Sequence, residues 1–348
     1  MRMSTPSVRS LATVLTVLAA TDTAVRAGEA VIDLGRGPVV VHIPSSYDLS
    51  VPAPLLLLLH GYSATGAVQE AYMQFAPVAE KRGILYLHPD GTVDLAGNQF
   101  WNATDACCDF WNSGVDDSGY LRALIDEVRA QFNVDARRIY LVGHSNGGFM
   151  SYRMACDHAD VIAAVASLAG ATWLDPNQCN PSAPVHVAQI HGTADATIFY
   201  DGGCTTACYP GAIATVEQWA VHDGCDLTAT PGDPLDLVLN LPGAETEVMR
   251  YDTGCLPGGS AELWTIPGGV HVPVLSPVFA EVVTDFLLEH PKPCATDLND
   301  DGSIGILDLL ALLAAWGTDP GGPPDFDGDG TVGILDLLTL LANWGRCA

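Results

Sequence analysis

The chain has 348 residues, of which 48% are hydrophobic, so it is long enough for one large domain with a sizeable core and a small second domain. It carries 41 acidic and 14 basic residues, which gives a formal net charge of -27. This charge argues against nucleic acid and anionic lipid as partners, because both are negatively charged and would be repelled.

The N-terminal residues have the pattern of a secretory signal peptide. Arg2 and Arg9 precede an apolar stretch at 11–20 that is too short to span a bilayer, and small residues at 25–27 offer a cleavage site. An ordinary amphipathic helix is the alternative interpretation. No later segment approaches the roughly 20 apolar residues of a membrane span. We therefore expect a secreted protein, extracellular or associated with the cell surface, without a transmembrane segment.

Short apolar runs alternate with helical patterns from about residue 31 to residue 289. The predicted strands read GPVVVHIP, PLLLLLHG, GILYLHPDG, RRIYLVGHS, IAAVASLAG, PVHVAQIHG and AELWTIPGG. Continuous apolar runs suit strands that are buried on both faces, as in a parallel sheet covered by helices. Helices are predicted at about 120–131, 148–158 and 214–222. The pattern predicts an α/β fold, in which functional sites lie where strands end.

A candidate nucleophile stands at the end of the strand RRIYLVGHS. Gly143 and Gly147 flank Ser145 in a G-x-S-x-G motif between a predicted strand and a predicted helix. The sharp turn of this motif exposes the serine Oγ and leaves the N–H of Asn146 at a helix N-terminus, where negative charge is stabilised. The loop after PLLLLLHG offers the N–H of Tyr62 as a second oxyanion donor. A free serine is a poor nucleophile, so the interpretation requires a base and an acid.

Candidates for the acid and the base follow in the chain order of α/β-hydrolases. Asp195 comes just after PVHVAQIHG, and His271 comes just after AELWTIPGG. His271 would take the Ser145 proton while Asp195 fixes its tautomer and stabilises the imidazolium. His144 and His191 are interpreted as structural. The residues alone leave rivals open, three for the acid and one for the base: Asp201, Asp223, Asp252 and His222.

Ten cysteines support export, because an oxidising compartment lets an even number pair completely. The predicted pairs are Cys204 with Cys208, Cys225 with Cys255, and Cys294 with Cys347. Two further bridges are left to four residues: Cys107, Cys108, Cys156 and Cys179. The adjacent Cys107 and Cys108 are expected to have different partners, because a bond between neighbours is strained.

The motifs of this region, taken together, resemble one enzyme family. In chain order they read LLHGY, HPDGT followed by FWN, CC, VDDSGYLRALID, GHSNGG, HGTAD with FYDGG, DGC and PGGVH. Over about residues 31–290 they resemble secreted poly(3-hydroxybutyrate) depolymerase-like and feruloyl esterase-like proteins, which are α/β-hydrolases of carbohydrate esterase family 1 type. The resemblance implies Ser145 as nucleophile, Asp195 as acid and His271 as base. It also implies structural roles for Asp116 and Asp117, which agrees with VDD as a helix cap.

One position departs from the family pattern. In GGVHVP, Val272 stands where the family usually has an aromatic residue, so the acyl preference does not follow from the resemblance.

The C-terminal part contains a repeated calcium-loop pattern. DLNDDGSIGILDLLALLAAWG and DFDGDGTVGILDLLTLLANWG, 28 residues apart, are identical at 14 of 21 positions. Each copy carries oxygen-bearing side chains at loop positions 1, 3, 5, 7 and 12 and glycine at position 6, as in an EF-hand loop. The candidate calcium ligands are Asp297, Asn299, Asp301, Ser303 and Asp308 in the first copy, and Asp325, Asp327, Asp329, Thr331 and Asp336 in the second.

A loop followed by one helix, twice, with aspartate at position 12, resembles a type I dockerin. The resemblance covers about 297–345 and implies two packed calcium-loop and helix units with a cohesin-like protein partner. Position 9 is Gly305 and Gly333, where dockerins commonly carry asparagine, so the identity of the partner is not transferred. The helices ILDLLALLAAW and ILDLLTLLANW are apolar nearly all round. Their surplus apolar surface either docks a partner or rests on the catalytic domain.

These patterns predict a signal peptide at 1–27, an α/β-hydrolase domain at 28–290, a linker at 291–296 and a small all-α domain of two calcium-loop and helix repeats at 297–348. The predicted function is a secreted serine esterase that acts through an acyl-enzyme, on feruloyl or acetyl esters of plant polysaccharide. A polyhydroxybutyrate-type polyester depolymerase is the first alternative. A peptidase with the same triad, and a non-catalytic surface or scaffold protein acting through the tail, are further hypotheses. Calcium is expected in the tail, and no cofactor is expected for catalysis.

Overall fold

The computed structural model describes residues 28–299 and 303–346 of the chain. The predicted signal peptide therefore lies outside the described residues. The strands are β1 (Gly28–Asp33), β2 (Pro38–Ile43), β3 (Ala53–Leu59), β4 (Leu85–Leu87), β5 (Thr92–Val93), β6 (Gln99–Phe100), β7 (Val134–His144), β8 (Ala164–Leu168), β9 (His186–Gly192), β10 (Gly202–Cys204), β11 (Cys208–Pro210), β12 (Thr230–Pro231), β13 (Glu247–Tyr251), β14 (Ala261–Ile266), β15 (Ser303–Ile304) and β16 (Gly345–Arg346). The helices are α1 (Gly66–Met73), α2 (Phe75–Arg82), α3 (Asp117–Gln131), α4 (Asn146–Asp157), α5 (Ala212–His222), α6 (Phe279–Glu289), α7 (Ile306–Ala314) and α8 (Ile334–Ala342).

Ten of these strands form one sheet in the order β1-β2-β4-β3-β7-β8-β9-β14-β13-β12. The six strands from β4 to β14 run parallel, and the strands at both ends of the sheet pair antiparallel. Strand β3, which reads APLLLLL, is buried along its whole length. Each of the seven predicted strands is present, so the prediction of an α/β fold with a mostly parallel sheet is confirmed.

Two apolar cores cover the two faces of this sheet. Alternate residues of β3 enter them, with Leu55, Leu57 and Leu59 in one core and Leu56 and Leu58 in the other. Helices α3, α4 and α5 pack on the first face, and α2 and α6 pack on the second. The parallel strands are therefore buried on both sides, as their composition predicts.

The helices at 120–131, 148–158 and 214–222 are confirmed with small shifts of their ends, as α3, α4 and α5. Asp116 caps α3 by accepting the N–H of Gly119 at 2.8 Å, which agrees with its expected structural role. The sequence pattern does not indicate α1 and α2. Each helix has only eight residues, and a single residue separates them, Gln74, which is in a left-handed conformation with φ of 58°. Among the described residues, no helix has the length and apolar character that crossing a bilayer requires.

Four disulfide bonds occur among the described residues: Cys107–Cys108, Cys156–Cys179, Cys204–Cys208 and Cys225–Cys255. The last two confirm predicted pairs. The expectation that Cys107 and Cys108 have different partners is wrong. The peptide bond between them is cis and brings their Cα atoms to 3.0 Å, so the two side chains can meet. The predicted pair of Cys294 with Cys347 reaches outside the described residues.

The predicted linker is fixed to the start of β7. The N–H of Lys292 donates to the carbonyl of Arg137 at 2.9 Å, and Arg137 Nε donates to the carbonyl of Lys292 at 2.8 Å. Beyond it, α7 and α8 pack around a small core, and the two-residue strands β15 and β16 pair antiparallel. Much of the apolar surface of both helices faces solvent, with Leu310 and Leu338 each 54% exposed. The exposed parts of these side chains are therefore not covered by the α/β domain.

Candidate active site

Ser145 stands at a sharp turn between β7 and α4, with a backbone φ of 55°. A side chain at Gly143 would place its Cβ 2.0 Å from the carbonyl oxygen of Gly147. A side chain at Gly147 would place its Cβ 2.1 Å from the carbonyl oxygen of Leu59. Only glycine therefore fits two residues before and two residues after the serine. This is the steric reason for the G-x-S-x-G spacing. The N–H of Ser145 donates to the carbonyl of Leu168 at 2.8 Å and fastens the turn to β8.

The structure brings Ser145, His271 and Asp195 together in one line of hydrogen bonds. His271 Nε2 lies 3.0 Å from Ser145 Oγ, and His271 Nδ1 lies 2.7 Å from Asp195 Oδ2. Because a carboxylate only accepts, Nδ1 carries the proton and Nε2 is free to accept the serine proton. The serine and the histidine are 126 residues apart in sequence. They meet because β7, β9 and β14 are parallel and end at the same edge of the sheet.

The Asp195 side chain is completely buried. Its Oδ1 accepts the backbone N–H groups of Thr197 and Ile198 at 2.8 and 2.9 Å. Burial alone would raise the pKa of Asp195, but hydrogen bonds from His191, His271 and Thr197 outweigh it and hold that pKa well below its usual range. Asp195 is therefore ionised at neutral pH and can stabilise an imidazolium at His271.

The loops that carry the acid and the base are tied together through their backbones. Ala194 N–H donates to the carbonyl of Gly269 at 2.9 Å, and Gly268 N–H donates to Thr193 Oγ1 at 2.8 Å. A Cβ at Gly192 would lie 2.2 Å from the Gly269 oxygen. The two loops touch at glycine backbones, so their spacing leaves no room for larger residues.

His144, interpreted from the sequence as structural, holds the backbone of the His271 loop. His144 Nε2 lies 2.9 Å from the carbonyl oxygen of His271 and must donate to it, because a carbonyl only accepts. Burial, with a smaller contribution from His271, lowers the pKa of His144 to about 4, so it is neutral at pH 7. Tyr72 OH donates to the carbonyl of Pro273 at 2.8 Å. His144 and Tyr72 thus hold this loop through the backbone carbonyls of His271 and Pro273.

The proposed oxyanion donors belong to backbone that borders the serine. A Cβ at Gly61 would lie 3.5 Å from Ser145 Cβ, so the loop that includes Tyr62 passes beside the nucleophile. In the part of the chain that the structure describes, neither Tyr62 N–H nor Asn146 N–H donates to a protein acceptor. Gln69 Oε1 accepts Gly61 N–H at 3.1 Å and fixes this loop.

The rival candidates lie away from this line of hydrogen bonds. Asp201 and Asp252 are exposed, and His222 is in the last turn of α5. Asp223 is buried and accepts Val185 N–H at 3.0 Å. Burial raises the pKa of Asp223 to about 8, so its carboxyl is protonated at neutral pH and unsuited to stabilise an imidazolium.

A cavity of about 330 Å³ opens at Ser145 and His271. Its walls include Val68, Tyr72 and Val272. Ligand sites for drug-sized molecules have about 300–1,000 Å³ and mainly apolar walls, so this cavity is at the small end of that range. It has room for more than an acetyl group.

Comparison with known families gives this arrangement its context. Residues 35–233 match the family model "Esterase", described as "Putative esterase". The matched segment is more than half of the chain. The chain belongs to this esterase family.

Curated relatives of this esterase have related names. Feruloyl esterase B of Piromyces equi is 32% identical over 242 residues, which are 67% of this chain and 42% of the relative. Poly(3-hydroxyalkanoate) depolymerase C of Paucimonas lemoignei is 25% identical over 232 residues, which are 64% of this chain and 53% of the relative. The esterase chain thus spans about half the length of these relatives. The solved acetyl xylan esterase from Aspergillus awamori aligns with a TM-score of 0.54 at 15% identity, over 75% of this chain and 98% of that one, and shows the likeness of fold.

The C-terminal loops of the esterase bring carboxylates together. Ligand oxygens of Asp325, Asp327 and Asp336 all lie within 4.8 Å of one another. In each loop the position-12 aspartate accepts the backbone N–H groups of loop positions 2 and 9, at 2.7 Å for Asp308 and 2.6 Å for Asp336. Asp336 also accepts the N–H of Asp327 at 3.3 Å. The N–H of Asp329 lowers the pKa of Asp327, but desolvation and the neighbouring carboxylates raise it more, which marks their mutual repulsion. Of the predicted ligands, Asp301 lies outside the described residues.

Proposed function

We propose that this esterase hydrolyses carboxylic esters through a serine acyl-enzyme. The observation that carries the proposal is the line of hydrogen bonds from Ser145 Oγ through His271 to Asp195, at 3.0 and 2.7 Å. Nucleophile, base and acid are then in the order that acyl transfer requires. The intact line also speaks against a purely non-catalytic surface protein.

In the first half of the reaction, Ser145 Oγ attacks the ester carbonyl carbon while His271 Nε2 takes its proton. The oxyanion that forms is stabilised by the N–H groups of Tyr62 and Asn146, and one such donor contributes about 2.7–4 kcal/mol to lowering the barrier. His271 then gives the proton to the leaving alkoxide, which departs as an alcohol and leaves the acyl group on Ser145. In the second half, water attacks the acyl carbon while His271 Nε2 takes one of its protons. The bond between the acyl carbon and Ser145 Oγ then breaks, His271 returns the proton to Ser145 Oγ, and the carboxylic acid is released.

The favoured substrate class is the feruloyl ester of plant polysaccharide. The cavity beside Ser145 has apolar walls and exceeds the needs of an acetyl group. The name of the Piromyces equi relative agrees with this choice. Acetyl esters of polysaccharide are the second possibility in the same class. A polyhydroxybutyrate-type polyester is the alternative, favoured by a relative named as a depolymerase and by Val68 and Val272, which line the cavity and are 59% and 56% exposed.

Wild type and Ser145→Ala, tested in parallel, separate these functions. The substrates are p-nitrophenyl acetate, methyl ferulate, polyhydroxybutyrate and a p-nitroanilide, the last to detect a peptidase. We expect wild type to cleave methyl ferulate with the highest kcat/KM and Ser145→Ala to lose at least about 1,000-fold in kcat. Equal rates for the two proteins would remove the catalytic proposal.

For the C-terminal domain we propose two calcium ions, one in each loop. Hard cations prefer carboxylate oxygens, and the converging Asp325, Asp327 and Asp336 offer them. Calorimetric titration of the full chain with calcium is expected to give two sites, and Asp325→Asn with Asp327→Asn is expected to leave one. Absence of calcium uptake by wild type would contradict the proposal.

The two helices of this domain are proposed to dock a cohesin-like partner. The exposed apolar side chains of these helices, and of the tryptophan that follows each, correspond pairwise at an offset of 28 residues: Ile306 and Ile334, Leu307 and Leu335, Leu310 and Leu338, Leu313 and Leu341, and Trp316 and Trp344. Soluble proteins rarely leave so much apolar surface uncovered without a partner. Binding to a purified cohesin domain is expected with calcium and not after chelation.

Export is proposed on the basis of the N-terminal pattern and the four disulfide bonds, which require an oxidising compartment. N-terminal sequencing of the protein from culture medium is expected to begin near Gly28. An intact N-terminus on a protein retained inside cells would contradict this proposal.

A further inference from the structure

A line of buried polar side chains continues from Asp195 into the interior. Tyr152 OH, on α4, donates to Gln189 Oε1 at 2.8 Å, and Gln189 Nε2 lies 3.1 Å from His191 Nδ1. His191 Nε2 lies 2.8 Å from the carbonyl oxygen of Ile198 and 3.3 Å from Asp195 Oδ2. The residues of this line are 0 to 5% exposed. Burying polar groups at such positions costs free energy unless they are hydrogen-bonded. The presence of Gln189 and His191 in β9 therefore suggests a functional role for them.

The partners of His191 fix its protonation from both ends. The carbonyl of Gly170 accepts a hydrogen bond from Gln189 Nε2 at 2.8 Å, so the amide nitrogen, and not the oxygen, faces His191. Nδ1 of His191 must then be an acceptor. At the other end, the carbonyl of Ile198 accepts only, so Nε2 must carry a proton. Both ends select the same neutral tautomer, with its N–H directed at the loop of Asp195.

Ile198 links the Nε2–H group of His191 to the carboxylate of Asp195. Its own N–H donates to Asp195 Oδ1 at 2.9 Å, and its carbonyl accepts from His191. His191 therefore closes the turn that holds Oδ1 and also approaches Oδ2, the oxygen that receives His271. Within the described residues, His191 and His271 are the two side chains that contact this carboxylate with N–H groups.

We propose that His191 is a positioning residue for ester hydrolysis, which orients the Asp195 carboxylate toward His271 through an N–H that Gln189 and Tyr152 hold in place. The inference rests on the proposed serine mechanism and adds a residue to it that never touches the substrate. Its effect appears when His271 becomes an imidazolium, because a carboxylate that turns away no longer stabilises that charge. Such an effect lowers kcat and leaves substrate binding almost unchanged.

Two substitutions separate orientation from packing. His191→Phe keeps a ring of similar shape beside Tyr200, whose ring centroid lies 5.7 Å away, but removes the N–H. His191→Gln restores an N–H near the position of Nε2. Ser167→Ala is the matched control, because Ser167 is the register partner of Gln189 on β8, is fully buried, and its hydroxyl has no hydrogen-bond partner among the described residues.

The experiment measures kcat and KM on p-nitrophenyl acetate for the full chain, the melting temperature, and the far-downfield proton resonance of His271 Nδ1–H. We expect His191→Phe to lower kcat on the order of 10- to 100-fold with KM within about twofold, because small misplacement of a catalytic group has that effect. The resonance should shift or broaden. His191→Gln should recover most of kcat, and Ser167→Ala should match wild type.

The outcomes distinguish this inference from the proposed function. Wild-type kcat in His191→Phe overturns the inference. So does a loss of kcat that follows the melting temperature and that His191→Gln does not repair, because that is the behaviour of a packing residue. If Ser145→Ala keeps wild-type activity, the serine mechanism itself fails, and this result does not depend on the His191 variants.

Discussion

Replacing Asp195 with asparagine tests how the carboxylate sets the protonation of His271. Oδ1 faces two backbone N–H donors, from Thr197 and Ile198, at 2.8 and 2.9 Å. In Asp195→Asn the amide oxygen must take that position, because an NH₂ group there would face two donors. The NH₂ group then occupies the position of Oδ2, which is 2.7 Å from His271 Nδ1. His271 Nδ1 is forced to accept, and its proton moves to Nε2.

With the proton on Nε2, His271 cannot take the proton of Ser145. The NH₂ group also meets the N–H of His191, since Oδ2 lies 3.3 Å from His191 Nε2. An inverted tautomer in a serine triad lowers kcat by about 10⁴-fold. At 1.36 kcal/mol for each factor of ten, this corresponds to about 5.4 kcal/mol of barrier. KM should change little, because Asp195 lies behind the base and does not meet the substrate.

The assay is kcat on p-nitrophenyl acetate, with Asp201→Asn as the matched control. Asp201 was a rival acid in the same segment and is exposed, so its variant should match wild type. The downfield resonance of His271 Nδ1–H should be absent from Asp195→Asn. A value of kcat above about a tenth of wild type in Asp195→Asn, or a large loss in Asp201→Asn, would refute the assignment of the acid.

Three other predictions concern one residue each. Tyr72→Phe removes the hydroxyl that holds Pro273 and should lower the free energy of unfolding by about 1–3 kcal/mol and kcat severalfold, measured by thermal denaturation and steady-state kinetics. Asp223 keeps its proton in the folded protein up to about pH 8 but loses it near pH 4 when unfolded, so it makes stability fall as pH rises between these values. The difference in melting temperature between pH 5 and pH 8 should therefore shrink in Asp223→Asn, and an unchanged difference contradicts this. Val272→Trp narrows the cavity and should lower kcat/KM for methyl ferulate about tenfold more than for p-nitrophenyl acetate, whereas parallel losses would place the acyl group elsewhere.

The sequence predicts the central sheet and the meeting of Ser145, Asp195 and His271, because each belongs to a short motif at the end of an apolar strand. Parallel strands bring such ends together whatever the length of chain between them. The choice among the rival acids does not follow from the strand ends in the same way. Asp201 and Asp195 both follow β9. The family resemblance favours Asp195, but the residues alone do not, and burial and hydrogen bonding in three dimensions separate the two.

Contacts between distant side chains and backbone leave no signal in a single sequence. Tyr72 and Pro273 are 201 positions apart, and nothing in either segment indicates the other. The residue types also do not reveal that the adjacent Cys107 and Cys108 are bonded to each other. For His144, the only signal was its place beside Ser145, which does not reveal the carbonyl that it contacts.

The attachment of the linker fixes where the C-terminal segment leaves the sheet relative to Ser145. Lys292 is bonded to Arg137 near the start of β7, whereas Ser145 follows directly after the end of the same strand. Eight residues of extended chain span about 26 Å. The contact of Lys292 with Arg137 and the nucleophile Ser145 are therefore at opposite edges of the sheet. If a protein partner binds the C-terminal domain, as proposed, the chain to that partner leaves the sheet at the edge opposite Ser145, and the cavity at Ser145 stays open to substrate.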